Sequence, residues 1–153
     1  MATYTSSACQ TSSGGFFLNP PRYIENGVVS RTASFTFTTS ASSGDVVQMV
    51  PIPKGALVLD TICALGGLAA GSNVAVNVGD GSSTGRYNTS ASVAAGVNGG
   101  AIFRMTNAAG SGYSYSVEDT IDFIPGTVAS MSGQMVVRLT VTYQFDNSTD
   151  GNS

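Results

Sequence analysis

The chain has 153 residues, enough for one domain with a buried core, and it carries a formal net charge of −3 with only 10% charged residues. The absence of histidine excludes a Ser-His-Asp triad and histidine-ligated metals, and two cysteines are too few for a cysteine-only zinc site or an iron–sulfur cluster. Six basic residues form no basic stripe for nucleic acid, and no apolar run approaches the roughly 20 residues that span a bilayer. The composition therefore predicts a non-enzymatic protein without cofactor, metal, small-molecule substrate, nucleic acid or membrane as partners.

Residues 1–30 differ from the rest of the chain, because they sustain neither helical nor strand periodicity. An isolated apolar cluster at 16–18 precedes two consecutive prolines, which exclude a central strand. We interpret this segment as an extended N-terminal arm whose apolar side chains either fold back on the domain or dock on a neighbouring subunit. Arg22 and Tyr23 are of types enriched at interface hot spots, although Tyr23 could equally cover one end of the domain. The candidate partner-binding residues are Phe16, Phe17, Leu18, Arg22 and Tyr23.

The start of the chain has neither a basic region nor an apolar run, so we expect no secretory signal and synthesis in a cytoplasm. In that compartment Cys9 and Cys63 are expected to be free thiols rather than a disulfide. Cys63 lies in phase with Leu57, Leu59 and Leu65, which predicts that it is a small buried hydrophobe.

From residue 31 onward, apolar and polar residues alternate with the period of two that is typical of strands. The strand predicted at 56–65 is apolar on both faces, which favours a central position, and Gly66-Gly67 is expected to end it. Residues 79–100 are predicted to be a loop that crosses between two sheets, with at most one helical turn at 92–95. The other strands of this first half are predicted at 31–38, 46–50 and 74–78.

The second half continues with strands at 101–105, 113–116 and 120–124, and with a turn at Pro125-Gly126. The last strand is the clearest, because strict alternation runs from Met135 to Phe145. About eight strands and no long helix predict an all-β fold, a single antiparallel jelly-roll-like β-sandwich. The predicted organisation is an arm at 1–30, the sandwich at 31–145 and a flexible polar tail at 146–153.

Two segments could carry chemistry, and for both a structural role is the stronger prediction. The glycine-rich run from Gly79 to Arg86 resembles an anion cradle or a calcium loop, but it lacks the lysine of a P-loop and the alternating carboxylates of a calcium site. Glu118, Asp119 and Asp122 form the densest acidic group. We expect Asp122 to be a solvated charge or a cross-strand partner of Arg104 or Arg138 rather than a catalytic acid.

Paired tyrosines provide an alternative function. Tyr113 and Tyr115 lie two residues apart on one predicted strand face, and together with Tyr87 they could stack sugar rings in a carbohydrate-binding module. Such platforms favour tryptophan, which the chain lacks, and tyrosine pairs in sheets usually pack against a neighbouring strand.

Four segments follow one another in a fixed order over residues 46–145. They are Ile52-Pro53-Lys54-Gly55-Ala56 with Val58-Leu59-Asp60, the run 74–80 ending in Val78-Gly79-Asp80 with Arg86-Tyr87, Gly112 to Tyr115 with Asp119-Thr120-Ile121, and the closing strand Gln134 to Tyr143. This ordered set resembles small β-sandwich structural proteins of tailed bacteriophages, which include capsid decoration (cement) proteins.

The resemblance implies a jelly-roll-like fold, a homo-oligomer such as a trimer, and a place on the outside of a phage capsid. The expected partners are then the major capsid protein and further copies of this chain, in a virion assembled in a bacterial cytoplasm. A head-fibre, neck or tail component with the same sandwich is an alternative within this class. Residues 1–30 fall outside the resemblance, so the role of the arm is inferred from its own residues.

Overall fold

The computed structural model describes residues 1–6, 27–37, 42–71, 73–94, 100–127 and 131–145. Over these residues the chain is all-β, as the alternating pattern predicts. The described residues form ten strands rather than about eight, because two strands lie where the sequence predicts an arm and a loop. The strands are β1 (Thr3–Thr5), β2 (Val28–Phe37), β3 (Val46–Ile52), β4 (Ala56–Leu68), β5 (Asn73–Gly79), β6 (Asn88–Ala94), β7 (Ala101–Arg104), β8 (Tyr113–Ser114), β9 (Asp119–Thr127) and β10 (Met131–Phe145).

The strands form two sheets whose inner faces share one hydrophobic core. Sheet A has the order β1-β3-β9-β5-β6, and sheet B has the order β2-β10-β4-β7, with β8 also paired to β4. The described pairings are antiparallel except that of β1 with β3, which is parallel. This architecture confirms the predicted jelly-roll-like β-sandwich. None of the described residues belongs to a helix that could cross a membrane.

The inward face predicted for the last strand is confirmed. Strand β10 lies between β2 and β4, and five alternate side chains of it have no exposed surface. The five side chains are Met135, Val137, Leu139, Val141 and Tyr143. Burial of each of the first four contributes roughly 1.5–3 kcal/mol, so β10 is a principal source of the stability of the sandwich.

The alternation predicted for β4 is wrong in its first half, because a β-bulge shifts its phase. The adjacent residues Thr142 and Tyr143 of β10 lie opposite Asp60 and Val58, so Leu59 is the extra residue. Val58 therefore packs in the core with no exposed surface, out of phase with the side chains that the simple alternation places there.

Beyond the bulge, the prediction for Cys63 is confirmed. Its side chain is a free thiol that is only 1% exposed, and burial raises its pKa. A buried thiol of this kind acts as a small apolar group. Cys9, which is expected from the sequence to form no disulfide with Cys63, lies outside the described residues.

Strand β4 does not end at its glycine pair but continues to Leu68. Gly67 adopts a φ of +77°, and a Cβ atom there would lie 2.0 Å from the backbone oxygen of Gln134. The close approach of β10 and the left-handed backbone both require glycine at this position. The glycine that predicts a strand end here marks an irregularity inside the strand.

Two further predictions are wrong in the second half. Residues 88–94 form β6, which pairs with β5, rather than loop or a helical turn, and β9 runs through Pro125-Gly126 instead of turning there. Small residues such as those of β6 carry no apolar alternation, so their strand depends on pairing rather than on pattern. The predicted change of sheet does occur, because β6 belongs to sheet A and β7 to sheet B.

Candidate functional site

The candidate partner-binding residues Phe16, Phe17, Leu18, Arg22 and Tyr23 lie outside the described residues. The chain on either side of them is described. Strand β1 pairs with β3 at the edge of sheet A, and β2 begins at Val28 at the edge of sheet B.

The strand β1 is held by hydrogen bonds and by aromatic contacts. Beyond its end, the Ser6 amide donates to the Gln48 carbonyl (2.9 Å). The ring of Tyr4 lies 5.6 Å from that of Phe35 and 6.1 Å from that of Phe37, centroid to centroid. The first residues of the predicted arm are therefore part of the sandwich, where they join an edge of sheet A to strand β2 of sheet B.

A buried polar cluster follows β5, at the glycine-rich run considered as an anion cradle. The Asp80 side chain has no exposed surface. Its carboxylate accepts hydrogen bonds from the backbone amides of Ser82 (3.1 Å) and Ser83 (2.7 Å). The amides that would bind an external phosphate are thus occupied by a carboxylate of the same loop, so the structural interpretation of this run holds.

Two longer side chains complete the shell around this carboxylate. Arg86 forms an ion pair with Asp80 through its Nε, and the Tyr115 hydroxyl donates to Asp80 Oδ2 (2.9 Å). The hydroxyl groups of Tyr115 and Tyr87 lie 2.7 Å apart. Burial alone would raise the pKa of Asp80, but the hydrogen bonds, led by that of Arg86, outweigh it and hold the pKa below its ordinary value. The group stays ionised and fully partnered, which suits a structural role.

The cluster joins segments that are distant in sequence. Asp80 and Arg86 belong to the connection between β5 and β6, whereas Tyr115 follows β8, which pairs with β4 of sheet B. A Cβ atom at Gly110 would lie 2.4 Å from Cδ1 of Tyr87, so the connection between β7 and β8 packs directly against that ring. The polar cluster therefore connects one end of sheet A to the loops of sheet B.

The tyrosines do not form a platform for sugar. Tyr87 has no exposed surface, Tyr115 is 4% exposed, and the guanidinium carbon of Arg86 lies 3.6 Å from the ring centroid of Tyr113. The rings of Tyr113 and Tyr115 meet edge to face, with centroids 5.0 Å apart. The carbohydrate-binding alternative is therefore wrong in its structural premise, because the faces that would stack a sugar are already covered.

The acidic group near β9 corrects another prediction. Asp122 is only 4% exposed and accepts a hydrogen bond from the Thr120 hydroxyl (2.7 Å), so it is not a solvated charge. Arg104 pairs with Asp60 instead (3.3 Å). Burial raises the pKa of Asp122 to about 7.

This environment does not make Asp122 a catalytic acid. A substrate could not reach a carboxyl group that is enclosed to this extent, although its pKa is in the range that acid–base catalysis uses. Among the described residues no group of three or more His, Cys, Asp or Glu side chains could hold a metal ion.

The outer face of sheet B offers a surface for contact that the sequence analysis does not identify. A depression of about 280 Å³ opens where β4 and β10 change register. On neighbouring β7, Ile102 lies opposite Ala64 and is 73% exposed. The sequence feature that could have predicted this depression is the glycine pair, because glycine places no side chain on the surface of the sheet. The depression is lined by Ala64, Leu65, Gly66, Gly67, Val136 and Arg138.

The described residues form a two-sheet β-sandwich in which the carboxyl groups of Asp80 and Asp122 are enclosed. No protein-family model and no curated protein matches the chain.

Solved structures with a similar fold include two phage capsids. One is a chain of the capsid asymmetric unit of cyanophage Pam1, with a TM-score of 0.65 and 22% identity over 90% of this chain and 98% of that chain. The other is a chain of the capsid of Ralstonia phage GP4, with a TM-score of 0.73 and 15% identity over 95% of this chain and 99% of that chain. At these identities the likeness shows the fold.

Proposed function

We propose that the protein is a non-enzymatic virion component, a decoration or cement protein that binds the outer surface of a phage capsid and stabilises it. The likeness to capsid chains supports this most directly. The two capsid structures described above are similar to at least 90% of this chain and to nearly the whole of their own matching chains. The protein thus has the fold of chains found in such shells.

The chemistry of the chain agrees with a role in contact. A cement protein stabilises the assembled shell by binding it and not its separate parts, which is a mass-action effect. Ser, Thr, Gly and Asn make up 65 of the 153 residues, so contact surfaces gain hydrogen bonds without desolvating many charges. The buried acidic groups, Asp80 and Asp122, are enclosed and are not presented to a substrate.

The partners in this proposal are the major capsid protein and further copies of the same chain, with a trimer as the oligomer. Its location is the capsid surface of a virion assembled in the cytoplasm of a host bacterium. The residues proposed to contact the capsid are Phe16, Phe17, Leu18, Arg22 and Tyr23.

The described parts of the chain decide how this contact is best tested. A deletion of residues 1–30 would remove β1 and the first residues of β2, so it would damage both sheets. Substitution in place avoids this. The test variant is Phe16→Ser/Phe17→Ser/Leu18→Ser, and the matched control is Val117→Ser, at an apolar side chain that is 66% exposed and precedes β9.

Binding is measured by co-sedimentation with capsids that lack the protein. If each of the three side chains contributes even the lower value of about 1.5 kcal/mol, the triple variant binds about a thousandfold more weakly, while the control binds as the wild type does. Wild-type binding by the triple variant would remove this segment from the mechanism. A cryo-EM map of the virion that places the protein on a fibre, neck or tail would overturn the capsid-surface role itself.

A further inference from the structure

Strand β2 forms a long edge that no other strand of the described part of the chain covers. It is the outermost strand of sheet B, and within the described part of the chain it pairs with β10 alone. Its ten residues stay in register with β10 from Val28 to Phe37 without a bulge. Proteins commonly protect such edges with proline, bulges or several charges, and β2 has one charged side chain, Arg31, and no proline.

We propose that this edge is the contact between two copies of the chain, which pair through antiparallel β2 strands around a two-fold axis centred on Ala33. Two sheets joined in this way form one continuous sheet, and nine residues of each strand overlap over roughly 30 Å. The pairing uses the backbone groups of β2 that face away from β10.

The side chains of β2 complement themselves in this register. On the outer face, exposed hydroxyl residues meet other hydroxyl residues, Thr32 opposite Ser34 and Ser30 opposite Thr36. They would extend a contact that already crosses the sheet, since the hydroxyl groups of Thr32 and Thr140 lie 2.8 Å apart.

On the inner face the same register avoids repulsion. Arg31 lies opposite Phe35 of the second copy, where a cation can meet an aromatic face, and Val29 lies opposite Phe37. A pairing centred on Thr32 would place Gly27 opposite Phe37, so this position would lack a side-chain contact across the two-fold axis. A pairing centred on Arg31 would bring two guanidinium groups together. The Ala33 register is therefore the one that the sequence of β2 fits best.

This contact is distinct from capsid binding and from a three-fold contact. A two-fold axis produces assemblies with an even number of chains, which are dimers, or hexamers when trimers also form. In an icosahedral shell such a contact would link one copy or trimer to its neighbour. Sedimentation velocity on the purified full-length chain tests it without capsids, so its failure and the failure of the proposed function are separate results.

Two variants distinguish this register. In Thr32→Lys/Ser34→Lys, each introduced ammonium group faces another across the two-fold axis. In Thr32→Lys/Ser34→Glu, each ammonium group faces a carboxylate. Both positions are exposed in the chain. We expect the like-charge variant to raise the dissociation constant of the two-fold contact by about tenfold or more, and the opposite-charge variant to restore it.

Circular dichroism checks that each variant is folded. This control is needed because Ser34 lies opposite Arg138 in its own sheet, and a lysine at position 34 adds repulsion there. If that variant unfolds, Thr32→Glu/Ser34→Glu supplies the same repulsion with an attractive neighbour, and it should also dissociate. Wild-type protein that sediments as monomers or trimers alone overturns the proposal. So does a like-charge variant that associates normally, or an opposite-charge variant that does not associate, since the latter is expected of a pairing centred on Thr32.

Discussion

The substitution Asp122→Asn should make the stability of the sandwich less dependent on pH. Asp122 is 4% exposed on β9, with the Thr120 hydroxyl 2.7 Å away as a donor. Burial raises the pKa of Asp122 to about 7, and the Thr120 hydrogen bond, which lowers it, does not offset the combined effect of burial and of Asp119 and Asp80. Asparagine has nearly the same shape and stays neutral at every pH.

The magnitude follows from the difference between the folded and unfolded chains. In the unfolded chain the carboxyl group has an ordinary pKa of 3.8. A shift of about three units corresponds to roughly 4 kcal/mol. Because the folded chain binds this proton more tightly, the stabilising contribution is complete below about pH 4 and is lost as the pH rises through about 7. At pH 8 Asp122 is therefore a buried carboxylate in the folded protein, and the free energy of unfolding is lower by that amount.

Urea unfolding at pH 5 and pH 8 measures the effect. Between these values the wild type should lose about 3 kcal/mol of unfolding free energy from this group, and Asp122→Asn should lose none from it. The matched control is Asp60→Asn, at a partly exposed carboxylate that pairs with the exposed Arg104. Equal wild-type stability at both pH values, or a control that abolishes the pH dependence equally well, would refute the reasoning.

Three other substitutions, one of them with a matched control, test the packing and the polar cluster by urea unfolding. Asp80→Asn should cost about 2–4 kcal/mol at pH 7, because it leaves the guanidinium of Arg86 without its anion. Since the folded pKa of Asp80 is lowered, this difference should shrink as the pH falls through that pKa, and an unchanged difference in acid would contradict it. Gly67→Ala should destabilise by more than about 2 kcal/mol, whereas Gly66→Ala, where a Cβ meets no atom within 4 Å, should cost far less. Leu139→Ala should cost about 2–5 kcal/mol, and a cost below about 1 kcal/mol would mean that β10 is not central to the core.

The sequence predicts the fold where one face of a strand is continuously apolar. In β10 the large residues recur at every second position, so only one phase buries them, and the prediction is confirmed along the strand. In β4 both faces are apolar, so the pattern does not select a phase, and the bulge at Leu59 sets it through pairing with β10. In β6 the side chains are small, and only the partner strand β5 identifies the segment as a strand.

The polar sites depend on contacts that the local sequence does not contain. Tyr115 donates to Asp80 across 35 positions of the chain, and neither residue has a local signal that points to the other. The burial of Asp122 is equally invisible, because strand alternation predicts which face a residue occupies but not whether that face is covered. The proposed contact residues Phe16, Phe17, Leu18, Arg22 and Tyr23 lie outside the described residues, and their role remains a prediction.

Three of the residues that carry the resemblance to phage structural proteins lie inside the sandwich and hold its parts together. Asp80, Arg86 and Tyr87 are buried or nearly so, and they join the hairpin of β5 and β6 to the loops beside β4. Residues in such a position preserve a topology, because a change in any one leaves a buried polar group unpaired. Because the side chains of Asp80 and Tyr87 have no exposed surface, they support the topology of the sandwich and do not indicate which surface it binds. The function of this chain must therefore be tested at the edges and outer faces of its sheets. Within the described part of the chain, the edge strand β2 carries the longest continuous row of exposed hydroxyl side chains.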